Sequence, residues 1–237
     1  MSTVNNPANL HGGNEGAQWI FCAPLLILES ERKRPFPASV YSDPMATLLT
    51  LHSPRLVTVD ALRQEQASAA VQVLGIVSFA LLTALGAQVR IYLWEVPITM
   101  QTLFVYGSGL YLGWRGGLLA MLLYLTLGMF FPVFAGDGFG PAYLFGAVSA
   151  GYLLGMPLAA TVIGRLSRRW NALTGSLLSV IAGSLALFTV GVLWLHFAAD
   201  HTTWFESIDK GWLRFVVFDL AKILFVGLVY TGTRRFL

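Results

Sequence analysis

Cysteine is nearly missing from this chain: Cys22 is the only one among 237 residues. No intrachain disulfide, Cys-x-x-Cys motif or thiolate metal site can be built from it. Histidine is scarce too, and His11, His52, His196 and His201 fall at no metal-ligand spacing, so no metal or other cofactor is expected. Charge is the largest shortfall. Asp, Glu, Lys and Arg make up 11% of the residues, against about a quarter in soluble domains. Enzyme signatures are missing as well: there is no phosphate-binding glycine loop ending in Lys and Ser or Thr, no His-Glu-x-x-His and no Gly-x-Ser-x-Gly. The expectation is a protein that is not an enzyme and hydrolyses no ATP itself, so ATP-driven work requires a partner.

What is abundant is apolar surface, with 56% hydrophobic residues and a mean hydropathy of +0.66. That composition predicts an all-α integral membrane protein, and the length accommodates six helices of about 20 residues each. Apolar stretches place them near residues 69–87, 98–112, 116–131, 143–163, 173–197 and 212–230. Arg55, Arg63, Arg115, Arg165, Arg168, Arg169, Arg234 and Arg235 all fall on one side of such a bundle. The opposite loops carry Glu95, Asp137, Asp200, Glu206 and Asp209, with only Arg90, Lys210 and Arg214 as cations. This asymmetry predicts that both termini lie in the cytoplasm, and it accounts for the net charge of +3 without nucleic acid.

Residues 1–66 differ from the rest. They are polar, with the run Glu29-Ser30-Glu31-Arg32-Lys33-Arg34 between Pro24 and Pro35, and read as a mostly disordered cytoplasmic extension ahead of a bundle over 67–237. Residues 19–28 are apolar but too short to span and lack the flanks of a signal peptide; Met45 is a plausible internal start. Within the bundle, Ala80-xxx-Ala84, Gly109-xxx-Gly113 and Gly151-xxx-Gly155 permit close helix contact. The glycine-rich segment 132–141 reads either as a surface loop or as the cap of a cavity, because irregular backbone at membrane depth needs protein or water beside it.

Asp219 and Lys222 stand three residues apart in the last apolar stretch, with Asp219 expected about two turns below the outer interface. A charged side chain at mid-bilayer costs about 2.5–3.5 kcal/mol on insertion scales. Three residues apart on a helix is an angular separation of about 60°, which lets them pair as a structural staple or flank one polar guest.

Several segments together resemble the BioY family of biotin transport proteins, the substrate-binding S components of energy-coupling factor (ECF) transporters. They are Leu82-Thr83-Ala84-Leu85-Gly86-Ala87-Gln88-Val89, Val96-Pro97-Ile98-Thr99-Met100-Gln101-Thr102, Leu112-Gly113-Trp114-Arg115, Leu123-Tyr124-Leu125-Thr126-Leu127-Gly128, Pro132-Val133-Phe134-Ala135-Gly136, Gly151-Tyr152-Leu153-Leu154-Gly155 and Asp219-Leu220-Ala221-Lys222, in the family's order. Two places depart from it: Ala147-Val148-Ser149-Ala150-Gly151-Tyr152 stands where the family usually has Gly-Pro-Thr-Gly-Gly-Tyr, and Arg90, Tyr92 and Glu95 replace smaller or apolar residues.

The resemblance implies an S-component-like bundle in the cytoplasmic membrane that binds and moves biotin. It implies that Asp219 accepts from the ureido N–H groups and that Lys222 donates to the ureido carbonyl or attracts the carboxylate. Gln101, Ser149 and Tyr152 would add neutral hydrogen bonds, and Phe134 and Tyr143 apolar walls. Implied partners are a transmembrane coupling subunit and two ATPase subunits, with Ala80 and Ala84 as a docking surface, although some family members work without a dedicated module. The competing readings are an S component for another vitamin and an intramembrane enzyme using Asp219 and Lys222 as acid and base.

Overall fold

The computed structural model describes residues Val59–Arg63, 67–92, 96–170 and 172–236. The expectations for Cys22, Met45, Arg55, Glu95 and the extension before residue 59 lie outside them.

The first described element, α1 (Val59–Arg63), falls at the end of the expected extension but packs against the bundle. Arg63 is buried and donates to Ser167 Oγ at 3.2 Å, while Arg168 donates to the Arg63 carbonyl at 3.0 Å. Helix α2 (Ala69–Gln88) follows as an uninterrupted apolar span. A two-residue antiparallel hairpin, β1 (Arg90–Ile91) and β2 (Ile98–Thr99), then turns the chain into α3, Gln101–Phe130.

Thirty residues of continuous helix would run about 45 Å, yet Gln101 Nε2 donates to the hydroxyl of Tyr124. That bond is possible only if α3 folds back on itself, and it does so at Gly113 (φ 72°, ψ −171°), a left-handed position that suits glycine. Its two limbs, 101–112 and 114–130, are therefore the second and third expected helices, separated where the sequence reading put the break. The N-terminal limb begins three residues later than expected because Ile98 and Thr99 are taken by the hairpin.

The fourth helix is different. In place of one span over 143–163 there are two, α4 (Gly140–Gly146) and α5 (Ala150–Leu166), bent by 84°. Ala147 is extended at the break, and the indole of Trp194 donates to its carbonyl at 3.0 Å. Helix α6 (Leu173–Ala198) matches its expectation to within one residue. An unexpected short helix, α7 (Trp204–Gly211), is capped by the Thr203 side chain, which accepts from the Glu206 N–H. A 3₁₀ turn over Leu213–Phe215 leads into α8 (Val216–Phe236), which starts four residues later than expected. Asp219 consequently sits in the first turn of α8, not two turns in, where the helix dipole favours a carboxylate.

The six-helix bundle is thus α2, the two limbs of α3, α4–α5, α6 and α8. Among the described residues, α2, α3 taken over its whole length and α6 are long and apolar enough to cross a membrane, and the bent pair α4–α5 makes a fourth if it is taken as one span. The main packing joins α2 to α3, α3 to α5 and α5 to α6. Ala80 (0% exposed) and Ala84 (9%) lie on the buried face of α2, so they serve packing inside this chain. The small side chains of Ala80 and Ala84, expected as a docking surface, let a helix of the same chain approach closely. Gly109 fits against Ala160 and Ile163, and Gly151 and Gly155 fit against α6, also within the chain.

At one end of the bundle the arginines converge. Arg63 and Arg234 lie over the Tyr230 ring at 5.6 and 5.8 Å, and Arg115 and Arg165 lie over Trp114 at 5.0 and 4.7 Å.

Candidate functional site

A cavity opens among β2, the N-terminal limb of α3, the segment after α3, the α4–α5 break, α5, α6 and α8. Its polar wall comprises Thr99, Gln101, Thr102, Tyr143, Ser149, Tyr152, Asp219 and Lys222. Its apolar wall includes Met156, Leu187, Phe188, Phe215 and Phe218. This balance of an apolar enclosure with a few converging polar groups is that of a small-molecule site.

Local chain behaviour explains how each polar group arrives. Because the hairpin delivers the chain to Gln101 inside the bundle, the first turn of α3 abuts the cavity. Gln101 is buried; it accepts from Thr99 Oγ1 at 2.9 Å and donates to Tyr124. Of the glycine-rich segment, Ala135 lines the cavity, and the Tyr143 hydroxyl donates to the Ala135 carbonyl at 2.9 Å. Ser149 stands at the 84° break, directly before α5, and does not cap that helix, so its hydroxyl stays uncommitted to the helix end. The Tyr152 hydroxyl donates to the Gly211 carbonyl at 2.7 Å, which ties α5 to α7.

Asp219 and Lys222 share the cavity without bonding to each other. The two oxygens of Asp219, which is 5% exposed, accept separately: Oδ1 from the Tyr106 hydroxyl at 2.6 Å and Oδ2 from the Ser184 hydroxyl. Lys222 Nζ donates to the Thr99 carbonyl at 2.6 Å and to Thr102 Oγ1 at 3.0 Å. An ammonium has three N–H donors, so one remains for a guest. Neither charge hydrogen-bonds to the other; each instead ties α8 to neighbouring elements.

A protein-family model described as the BioY family matches residues 60–237. The chain belongs to the BioY family. The biotin transporter BioY of Thermotoga maritima is 37% identical over 152 residues, covering 64% of this chain and 88% of the relative. That of Rhodobacter capsulatus is 34% identical over 163 residues, covering 63% and 85%. A crystal structure of the S-component for biotin from an ECF-type ABC transporter superposes with a TM-score of 0.64 at 21% identity, covering 71% of this chain and 95% of that one. The fold is that of an S component, and this BioY family member is a multi-pass membrane protein.

Of the residues expected at the site of this BioY family member, Asp219, Lys222, Gln101, Tyr152, Ser149 and Tyr143 meet on one cavity wall. Phe134 does not. It is fully buried one layer behind, stacked on Tyr143 (5.6 Å, 17°) and edge-on to Tyr124 (5.5 Å, 82°), so it supports the wall without forming it. Thr99 and Thr102 were not among the expected residues, though both lie in the Pro-Ile-Thr-Met-Gln-Thr segment. Tyr106 and Ser184 were not expected either, since their only signal in the sequence is a hydroxyl in an apolar span.

Proposed function

We propose that this protein binds biotin and carries it across the cytoplasmic membrane as the substrate-binding S component of an ECF-type transporter. The observation that carries the reading is that Asp219 and Lys222 face one mostly apolar cavity while bonding to other groups and not to each other. The biotin-transporter names of the relatives support the same ligand. Biotin has what such a cavity asks for: a ureido ring with two N–H donors and a carbonyl, an apolar fused ring and a carboxylate. Asp219 accepts from ureido N–H and Lys222 gives its remaining N–H to a biotin oxygen, while Gln101, Ser149 and Tyr152 complete the polar wall and Tyr143 the aromatic one. A transmembrane coupling subunit and two ATPase subunits would supply the energy.

Biotin titrated into the detergent-purified protein should bind at one site and be recovered chemically unchanged. Binding of another vitamin in its place would favour a different S-component specificity, and a chemically altered product would favour an enzyme.

The arginine-rich end of the bundle is assigned to the cytoplasm, which places both termini inside. After Cys22→Ser, an impermeant maleimide should label Asp209→Cys in intact cells and reach Arg169→Cys only once the membrane is opened. The reverse pattern would invert the topology.

A further inference from the structure

We infer that Tyr106 and Ser184 are positioning residues for biotin recognition: they hold the Asp219 carboxylate in one plane, with its unused lone pairs turned to the cavity. The inference rests on the role of Asp219 in the proposed function.

Three elements meet at this point, with Tyr106 on the first limb of α3, Ser184 on α6 and Asp219 on α8. Tyr106 (0% exposed) and Ser184 (4%) are buried, and neither lines the cavity, whereas Asp219 does. Any effect of either hydroxyl on a ligand must therefore pass through Asp219. Ionised carboxylate oxygens accept from about two directions each, and here one direction on each oxygen is occupied. Two donors on opposite oxygens block rotation of the group, so a ligand N–H meets an acceptor whose orientation is already fixed and need not be ordered on binding.

Ser184 shows the arrangement to be a departure from the chain's habit. Helical Thr83, Thr126, Thr161, Ser179 and Thr189 each donate to the carbonyl four residues back, the default for a hydroxyl in an apolar helix. Ser184 gives its proton to a side chain on another helix instead. An ionised carboxylate is acceptor-only, so the Asp219 group that these donors hold presents acceptor positions to N–H-bearing rings such as cyclic ureas.

The test is biotin affinity and thermal unfolding of Tyr106→Phe, Ser184→Ala and Ser184→Thr, each alone and with Asp219→Asn. The first two should weaken biotin by about tenfold each, the net worth of roughly one hydrogen bond to a charged group, while Ser184→Thr, which keeps the donor, stays near parental affinity. With Asp219→Asn present, Tyr106→Phe and Ser184→Ala should add no further loss, because the group through which they act has gone. Parental affinity in Tyr106→Phe and Ser184→Ala would overturn the inference, as would losses that persist undiminished beside Asp219→Asn or a failure of Ser184→Thr to bind. Parental affinity in Asp219→Asn alone would instead overturn the ligand role of Asp219 on which the inference stands.

Discussion

The variant carrying both Asp219→Leu and Lys222→Leu should fold as a six-helix membrane protein and fail to bind biotin. Each charge is satisfied by its own partners, Asp219 by Tyr106 and Ser184, Lys222 by Thr99 and Thr102. Removing either one leaves neutral hydroxyls or a carbonyl short of a partner, a penalty of about 1–3 kcal/mol each, and does not strand a bare charge. The folding cost is partly recovered because two leucines remove two charges from an apolar interior. Binding has no such recovery, since the ureido N–H groups would meet a hydrocarbon wall. A loss of at least a hundredfold is expected for either single change and for the double, equivalent to roughly 2.7 kcal/mol or more. Calorimetric titration beside thermal unfolding measures both quantities on one sample, and near-parental affinity in the double variant would refute the ligand-binding role.

Gly164→Ala should be the most damaging single methyl in the bundle. Gly164 on α5 packs against the reversal of α3, and a Cβ there would sit 2.3 Å from the backbone nitrogen of Trp114 and 2.4 Å from the carbonyl carbon of Gly113. Those are backbone atoms, so no rotamer change relieves the clash. The reversal is closely packed elsewhere too, with the Arg63 carbonyl 2.8 Å from where a Gly113 Cβ would be. Overpacking of a tight core costs about 1–3 kcal/mol and occasionally more. At about 2–4 °C per kcal/mol for a chain of this size, the purified variant should unfold roughly 6–12 °C lower if the upper figure applies. An unchanged unfolding temperature would mean that α5 and the α3 reversal are not packed this closely.

How much of this was legible in the sequence follows from what kind of signal each feature leaves. Long apolar stretches announce spans, so α2, both limbs of α3 and α6 fall close to their expected places. The break between α4 and α5 left no comparable mark: Ala147, Val148 and Ser149 are small or apolar, and the hydrophobic run passes through them without interruption. Helix α7 was hidden for the opposite reason, since Glu206, Asp209 and Lys210 make it read as a charged loop. Asp219 and Lys222 stood out because a charge in hydrocarbon demands an explanation. Tyr106 and Ser184 did not, because a hydroxyl in a span can bond to its own helix and needs no distant partner. At Ala80 and Ala84 the spacing correctly signalled a close helix contact, but a pattern of small residues carries no information about whether the neighbour belongs to the same chain.

The interrupted fourth span has a consequence for where polarity can exist in such a molecule. An unbroken helix pairs the carbonyl and N–H groups of its interior with one another and shows its surroundings only side chains. Stopping at Gly146 and restarting at Ala150 releases backbone groups from the helix, and the Trp194 indole answers one of them at Ala147. The same interruption leaves Ser149 and Tyr143 facing inward with Tyr152. A hydrophilic chamber inside an oily protein is thus obtained by subtraction: the rungs that the helix omits become the lining available to a water-soluble guest.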